Sequence, residues 1–407
     1  MFHKPPQEFH TRIDPGEGFR ERRRRHRRRI RNRRIGAAIL LVGLAAGLTF
    51  GFRGIGGAAA PGSSTQDAAG GPDRVLTPPD TPVEPEAHVR TPDEMRGVHM
   101  TMDTASVPGK LDQYLKLSSQ GMNTLQLDVK DETGKIAFVS RRAPLATRVG
   151  AARTFYDAER AIRRAHDRGV YTIARVVAFQ DPVLATSRPD QAVKTSSGAV
   201  WKNFKGLAWL NPYDRRNWDY NVDVAEAAAD AGFDEVMFDY VRFPTDGPAD
   251  RVYAGAAGPK ARAIASFLQY ARNRLAPLGV KVSAAVFGLA ATTELGIGQK
   301  PRMMARHLDT IHPMAYPSLY GPGWWGLSDP EAVPGETVAR TLLDYQRVLR
   351  GLRVRIVPWI QDYDGDRRAY GLDQVLDQVD AVRRLRAGGF LLWNARGEYT
   401  TGALIER

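Results

Sequence analysis

The sequence predicts an α/β fold in which eight parallel strands, each followed by a helix, close into a (β/α)8 TIM barrel behind an N-terminal apolar segment and a linker. Three observations carry that expectation. From about residue 95, short apolar runs alternate with longer amphipathic ones. The apolar runs number eight in about 310 residues, which favours a closed barrel over an open doubly wound sheet. Glycines recur just before the strands, at Gly121, Gly169, Gly232, Gly279, Gly351 and Gly389, where left-handed helix ends are expected.

The elements follow in order. GVHMT precedes a helix near Lys110 to Ser119, NTLQLDV one over Tyr156 to Arg168, VYTIARVVAF one over Arg215 to Ala231, and DEVMFDYV one over Lys260 to Leu278. The second half continues with VKVSAAVFG and Pro301 to His307, LDTIHPMAY and Glu336 to Leu349, VRIVPWIQ and Leu372 to Leu385, and ends on GFLLWN. No GxGxxG opens a helix after the first strand and no GxxxxGKS/T occurs, so a nucleotide-binding sheet loses its main support.

The net charge of +13 is unevenly placed. Residues 1–53 hold 14 Lys and Arg against 4 Asp and Glu, leaving 44 against 41 in the other 354. A nearly neutral folded part argues against nucleic acid as a partner. The basic tail, 1–34, instead leads into Ile35 to Phe52, 18 residues without a charge, long enough to span a hydrocarbon core of about 30 Å. A transmembrane or signal-anchor helix at 35–52 is expected, with the arginines cytoplasmic and the rest outside. The alternative is secretion after cleavage near Ala58-Ala59-Ala60. Residues 53–93, rich in Gly, Ala, Pro and Ser, read as a flexible linker, and 94–407 as the barrel. There are no cysteines, hence no disulfides and no thiolate chemistry.

Barrel chemistry sits at the C-terminal strand ends. In the fourth run, Met237, Asp239 and Val241 share one face and Val236, Phe238 and Tyr240 the other, so Asp239 is expected in the barrel mouth. The second run has a polar face of Thr124, Gln126, Asp128 and Lys130, and the seventh ends with Asp362 at the same level. Arg175, in the third, is placed to pair with one of these carboxylates, and Arg242 to orient Asp239. Acids converging on a barrel mouth suggest glycoside hydrolysis. All seven tryptophans lie in the barrel part; Trp209, Trp359 and Trp393, with Tyr316, are candidate sugar contacts. His99, His307 and His312 lack metal-ligand spacing, no G-x-S-x-G elbow occurs, and neither metal nor cofactor is expected. The long basic loop Asp131 to Ala152 is either a lid over an acidic glycan or a solvated excursion.

Several long segments carry a resemblance: YTIARVVAFQDPVLA, then GLAWLNPYDRRNWDYNVDVAEAAADAGFDEVMFDYVRFPTDG, then VSAAVFGL with GIGQ, HPMAYPSLY, VPWIQDY and LLWNARGEY. Together, over roughly residues 95 to 400, they resemble a family of inferred glycoside hydrolases, formerly a domain of unknown function, whose members look like α-amylase-type barrels. The resemblance implies a polysaccharide or oligosaccharide substrate, and it sets Asp239, in FDYVRFP, at the nucleophile position of such barrels. It also covers Asp128, Asp131, Gln361 and Asp362. The family's strand-five motif resembles SADVFG, whereas this chain has Ala285 at the acidic position. The resemblance therefore leaves Glu294 or Asp362 as the general acid, or else a barrel that binds glycan without cutting it.

Overall fold

The computed structural model describes residues 88–405. The basic tail, the apolar run at 35–52 and most of the linker lie outside the described residues. Among the described residues no helix is long and apolar enough to cross a membrane.

The apolar runs become strands because they are rich in β-branched and aromatic residues and are buried on both faces. β1 (Met95–Met100), β2 (Thr124–Lys130), β3 (Tyr171–Val177), β4 (Glu235–Asp239), β5 (Lys281–Phe287) and β6 (Thr310–Met314) come first. Two short pieces, β7 (Arg355–Ile356) and β8 (Trp359–Gln361), share the seventh position, and β9 (Gly389–Trp393) fills the eighth. Pro358 divides the seventh strand: it has no N–H to give, although its carbonyl accepts from the Leu391 amide at 3.0 Å. Every pairing is parallel, and the β5–β6 and β9–β1 contacts close the ring.

Crossover helices α1 (Lys110–Leu115), α2 (Ala158–His166), α3 (Arg215–Asp230), α4 (Lys260–Leu275), α5 (Pro301–Met304), α6 (Pro334–Leu349) and α7 (Leu372–Arg384) return the chain around the outside. Asp157 and Asp214 start α2 and α3 by accepting from the first-turn amides of Arg160 and Arg216. All six expected glycines have positive φ. Gly389, however, does not end a helix: Arg386, at φ 52°, takes the left-handed position after α7, and Gly389 opens β9. A Cβ there would lie 2.1 Å from the Met95 carbonyl oxygen, so only glycine lets β9 approach β1. The linker also ends earlier than expected, because the Val89 amide already donates to Asp234 on the barrel at 2.8 Å.

The period of two along each strand sorts the core into two layers. Met95, Ile173, Met237 and Leu391 fill the barrel, while Val236 and Phe238 pack outward, Phe238 against Phe267 of α4. The alternation fails twice at strand ends. A bulge between Asp128 and Lys130 turns Lys130 out of the barrel and under α3. There its ammonium pairs with Asp181 at 2.8 Å and donates to Asn221 at 2.7 Å, both side chains of the ion pair being buried. Burial pushes the Lys130 ammonium below its ordinary value, with Asp181 opposing. Lys130→Met should therefore destabilise the fold by about 3–5 kcal/mol in urea unfolding, because it strands a buried carboxylate. Removing the exposed Arg340 partner of Glu336 should cost less than about 1 kcal/mol in the same measurement.

Candidate active site

The site is assembled by strand register. Asp128 of β2 lies beside Arg175 of β3, which lies beside Met237 of β4, with Asp239 one inward position further up. The Arg175 guanidinium is thereby held among three carboxylates. Its Nη1 donates to Asp128 at 2.8 Å, its Nε to Asp239 at 2.9 Å, and Nη1 and Nη2 to Glu132 at 3.3 and 3.4 Å. Glu132 comes from the turn after β2, where Asp131 accepts from the Thr133 and Lys135 amides. Asp131 is thus a turn former, its carboxyl pushed up to about 6 by burial, with Glu132 adding to the shift.

The three acids differ in environment. Asp128 is buried beneath the site, and desolvation pushes it up to about 7 against the pull of Arg175. For Glu132 burial acts upward, yet the Arg175 charge and a backbone hydrogen bond hold it below the usual glutamate value. Its side chain is 29% exposed, that of Asp239 only 16%. His99 donates from Nδ1 to the Gln126 side-chain carbonyl oxygen at 2.8 Å and places Nε2 3.7 Å from Asp128. Burial, reinforced by Arg175, lowers it to about 3, so the ring stays neutral.

Asp239 owes its orientation to its own backbone. Tyr240 adopts φ 47°, a left-handed conformation uncommon for a bulky residue, and its amide donates to Asp239 Oδ1 at 2.7 Å. The same turn ends the strand's alternation. Tyr240 swings to the cavity wall and Val241 joins the outer core, the reverse of what a continued strand would give.

Above Arg175 opens a cavity of about 270 Å³. Trp359, Trp393, Tyr316 and Tyr363 supply aromatic rings to its lining, with Ala285 and Phe287 of β5, Gln126 of β2 and Glu132. Gln180, Asn203, Lys205 and Asp246 reach it from long excursions after β3 and β4 that bridge to one another. A mostly aromatic concavity with a few converging charges is what a sugar site requires.

Asp128, Arg175, Asp239, Tyr316, Trp359 and Trp393 thus come together as the sequence suggested, Asp128 as support below the cavity. Four other candidates do not take the expected places. Asp362 does not line the cavity; it accepts from the Thr400 amide and hydroxyl at 2.8 and 2.6 Å and fixes the C-terminal segment. Glu294 is exposed and paired with Lys300, away from the cavity lining. Trp209 is fully buried behind the wall. Arg242 does not hold Asp239, a task Arg175 performs; its guanidinium lies over the Trp209 ring at 4.8 Å. The loop 131–152 is anchored through buried Ile136, Ala137 and Ala146 while Lys135, Arg141, Arg142 and Arg148 stay exposed, and of its residues only Glu132 and Thr133 reach the cavity. Glu132 was missed because it lies beyond the strand end, where alternation no longer tells which way a side chain points. The acidic pair following LDVK was its only trace. Among the described residues no group of three or more potential ligands is placed to hold a metal.

A family model described as "Putative glycosyl hydrolase domain" matches residues 97–399. The chain belongs to that family. A hypothetical protein from Ruminiclostridium thermocellum ATCC 27405 is 33% identical over 46% of this chain and 96% of its own, with a TM-score of 0.43. The PgaB (BpsB) glycoside hydrolase domain from Bordetella bronchiseptica is 14% identical over 77% of this chain and 99% of its own, with a TM-score of 0.55. At that identity the second likeness shows the shared barrel fold. No curated protein is significantly similar to the chain.

Membership gives the cavity a glycosidase-like context, and the His99–Asp128 pair beneath it gives a test of its electrostatics. With His99 lowered from 6.5 to about 3, the unfolded chain binds the extra proton between those values, so this group makes stability rise with pH. With Asp128 raised from 3.8 to about 7, the folded chain binds the extra proton, so this group makes stability fall as pH rises. The two oppose each other where the windows overlap. Between about pH 4.5 and 6.5, His99→Gln should shift the urea midpoint downward with pH relative to wild type, and Asp128→Asn upward. Shifts of the same sign in both variants would contradict the assignment.

Proposed function

We propose that the barrel hydrolyses a glycosidic bond in a polysaccharide, with Asp239 as nucleophile or charge stabiliser and Glu132 as general acid and base. The observation that carries this reading is the pair of carboxylates sharing Arg175 Nη2 at the floor of the aromatic cavity. Their oxygens lie 2.9 and 3.4 Å from that nitrogen, so they are no farther apart than the sum of those distances. Two carboxylates held this close at one cavity floor form the kind of pair that glycoside hydrolysis uses, one to protonate the leaving oxygen and one to attack or to activate water. Asp239 is fixed from both sides, by the Tyr240 amide and by Arg175, which suits a nucleophile that must stay ionised and aimed. Glu132 has the longer, more exposed contacts. A sugar seated over Arg175 would replace them and desolvate the carboxyl, which favours its protonated form.

The second reading is a barrel that binds glycan without cutting it. Its support is that Arg175 neutralises the acids and that β5 brings Ala285 rather than a carboxylate to the wall. For the wider setting, the arginine-flanked apolar run at 35–52 supports an anchor that leaves the barrel outside the cytoplasm, where polysaccharide is met.

Release of reducing ends from a panel of cell-wall and storage polysaccharides separates the two readings. On a substrate that is cut, Asp239→Asn should lower kcat by about 10³-fold or more, roughly 4 kcal/mol of barrier, with sugar affinity retained. Glu132→Gln should lower it strongly for a sugar leaving group and far less for a nitrophenyl leaving group that needs no protonation. Sugar binding by the wild type with no cleavage of any member would establish the binding barrel.

A further inference from the structure

Among the described residues Arg242 has no counter-ion. Its side chain follows the left-handed turn at Tyr240 and is only 7% exposed. The guanidinium lies over Trp209 at 4.8 Å, Tyr240 at 5.3 Å and Phe287 at 5.4 Å. Nη1 donates to the Phe243 carbonyl at 3.3 Å, and among the described residues no carboxylate lies within 4 Å of the group and no acceptor serves Nε or Nη2. Arg175, in the same cavity, holds three carboxylates. Ring faces recover only part of the cost of taking a cation out of water, and an opposite charge recovers much more. The neighbouring β5 wall, Ala285 and Phe287, offers none.

A second cation repeats the pattern at the rim. Lys205 lines the cavity with no carboxylate within 4 Å among the described residues, and beside it Phe204 is 68% exposed. The acids of the lining are otherwise engaged: Asp239 and Glu132 with Arg175, and Asp246 with the Asn203 amide at 2.9 Å. Three acids face three cations in the lining, so an incoming anion meets no net negative field.

We infer that the cavity takes a glycan bearing carboxylate groups, and that Arg242 is the residue that reads them. The inference rests on the carbohydrate reading above and adds a substrate class to it. A guanidinium pinned on three rings keeps its free edge in one orientation, which matches the planar, two-oxygen geometry of a uronate. Lys205, a mobile point charge at the rim, would meet the carboxylate of a further residue of the same chain.

The test compares trigalacturonate and trimannuronate with their methyl esters, which keep the backbone and lose the charge. Binding is followed by the fluorescence of Trp359 and Trp393, which line the cavity. Wild type should bind at least one free acid about tenfold or more tighter than its ester at low salt, an advantage that shrinks as salt is raised. Arg242→Gln should abolish the preference and leave ester affinity unchanged. Arg242→Lys, which keeps the charge without the fork, should retain part of it and guards against a folding defect in the first variant. Equal affinity for acid and ester, equal weakening of both by Arg242→Gln, or binding of neither overturns the inference. Cleavage of a neutral glycan alongside equal affinities would leave the glycosidase reading standing; no binding and no cleavage of any glycan would remove both.

Discussion

A guanidinium buried in the mouth of a barrel must be surrounded by negative charge, and that constraint at Arg175 organises the site. Asp128 supports it from below, Asp239 from the end of β4 and Glu132 from the turn after β2. Taking such a charge out of water is tolerated only when its hydrogen bonds are well formed, so each acid is fixed as much by Arg175 as Arg175 is by the acids. The cost is spread across elements distant in sequence, which makes the cavity floor a property of the closed barrel and not of any one strand.

Beneath that floor buried polar side chains share the interior with Met95, Ile173, Met237 and Leu391. Gln126 ties His99 to the Met237 sulfur, and Glu235 accepts from Tyr171 at 3.0 Å and contacts His312 at 3.1 Å, all of them buried. His312 belongs to this layer; its Nδ1 donates to the Val357 carbonyl where the seventh strand is broken. Satisfied networks of this kind favour one arrangement, because a shifted register would leave buried groups unpaired. Rigid support below fixes the carboxylates and the guanidinium above it in place.

The walls are built differently. The excursions after β3 and β4 bridge to each other through Lys194 and Val252, and the Trp201 indole donates to the Pro248 carbonyl at 3.1 Å. Gly247 packs so closely on the Trp201 ring that a Cβ would fall 2.4 Å from it, so the turn after FPTD is tied to this contact. The strands thus supply Arg175 and Asp239 at the cavity floor, while the turn after β2 adds Glu132 and the excursions after β3 and β4 add Gln180, Asn203, Lys205 and Asp246 to the lining.

Alternation along the apolar runs, together with the count of eight, was enough to predict the barrel and the inward faces that carry Asp128 on β2 and Asp239 on β4, while Arg175 was legible only as a cation within the third run. Those features are local: a period of two needs no knowledge of what lies across the sheet. Where the strands end the rule ends with them. Lys130 turned outward at a bulge, Tyr240 entered the cavity through a left-handed turn, and Glu132 joined Arg175 from a loop. Asp362 and Glu294 look like catalytic acids in the sequence, but Thr400 and Lys300 claim them, and neither partner is visible until the chain is folded. Tertiary structure alone decided which carboxylates share Arg175 and that buried Arg242 has no carboxylate beside it among the described residues, because electrostatic partnership depends on distances between elements that sequence order does not encode.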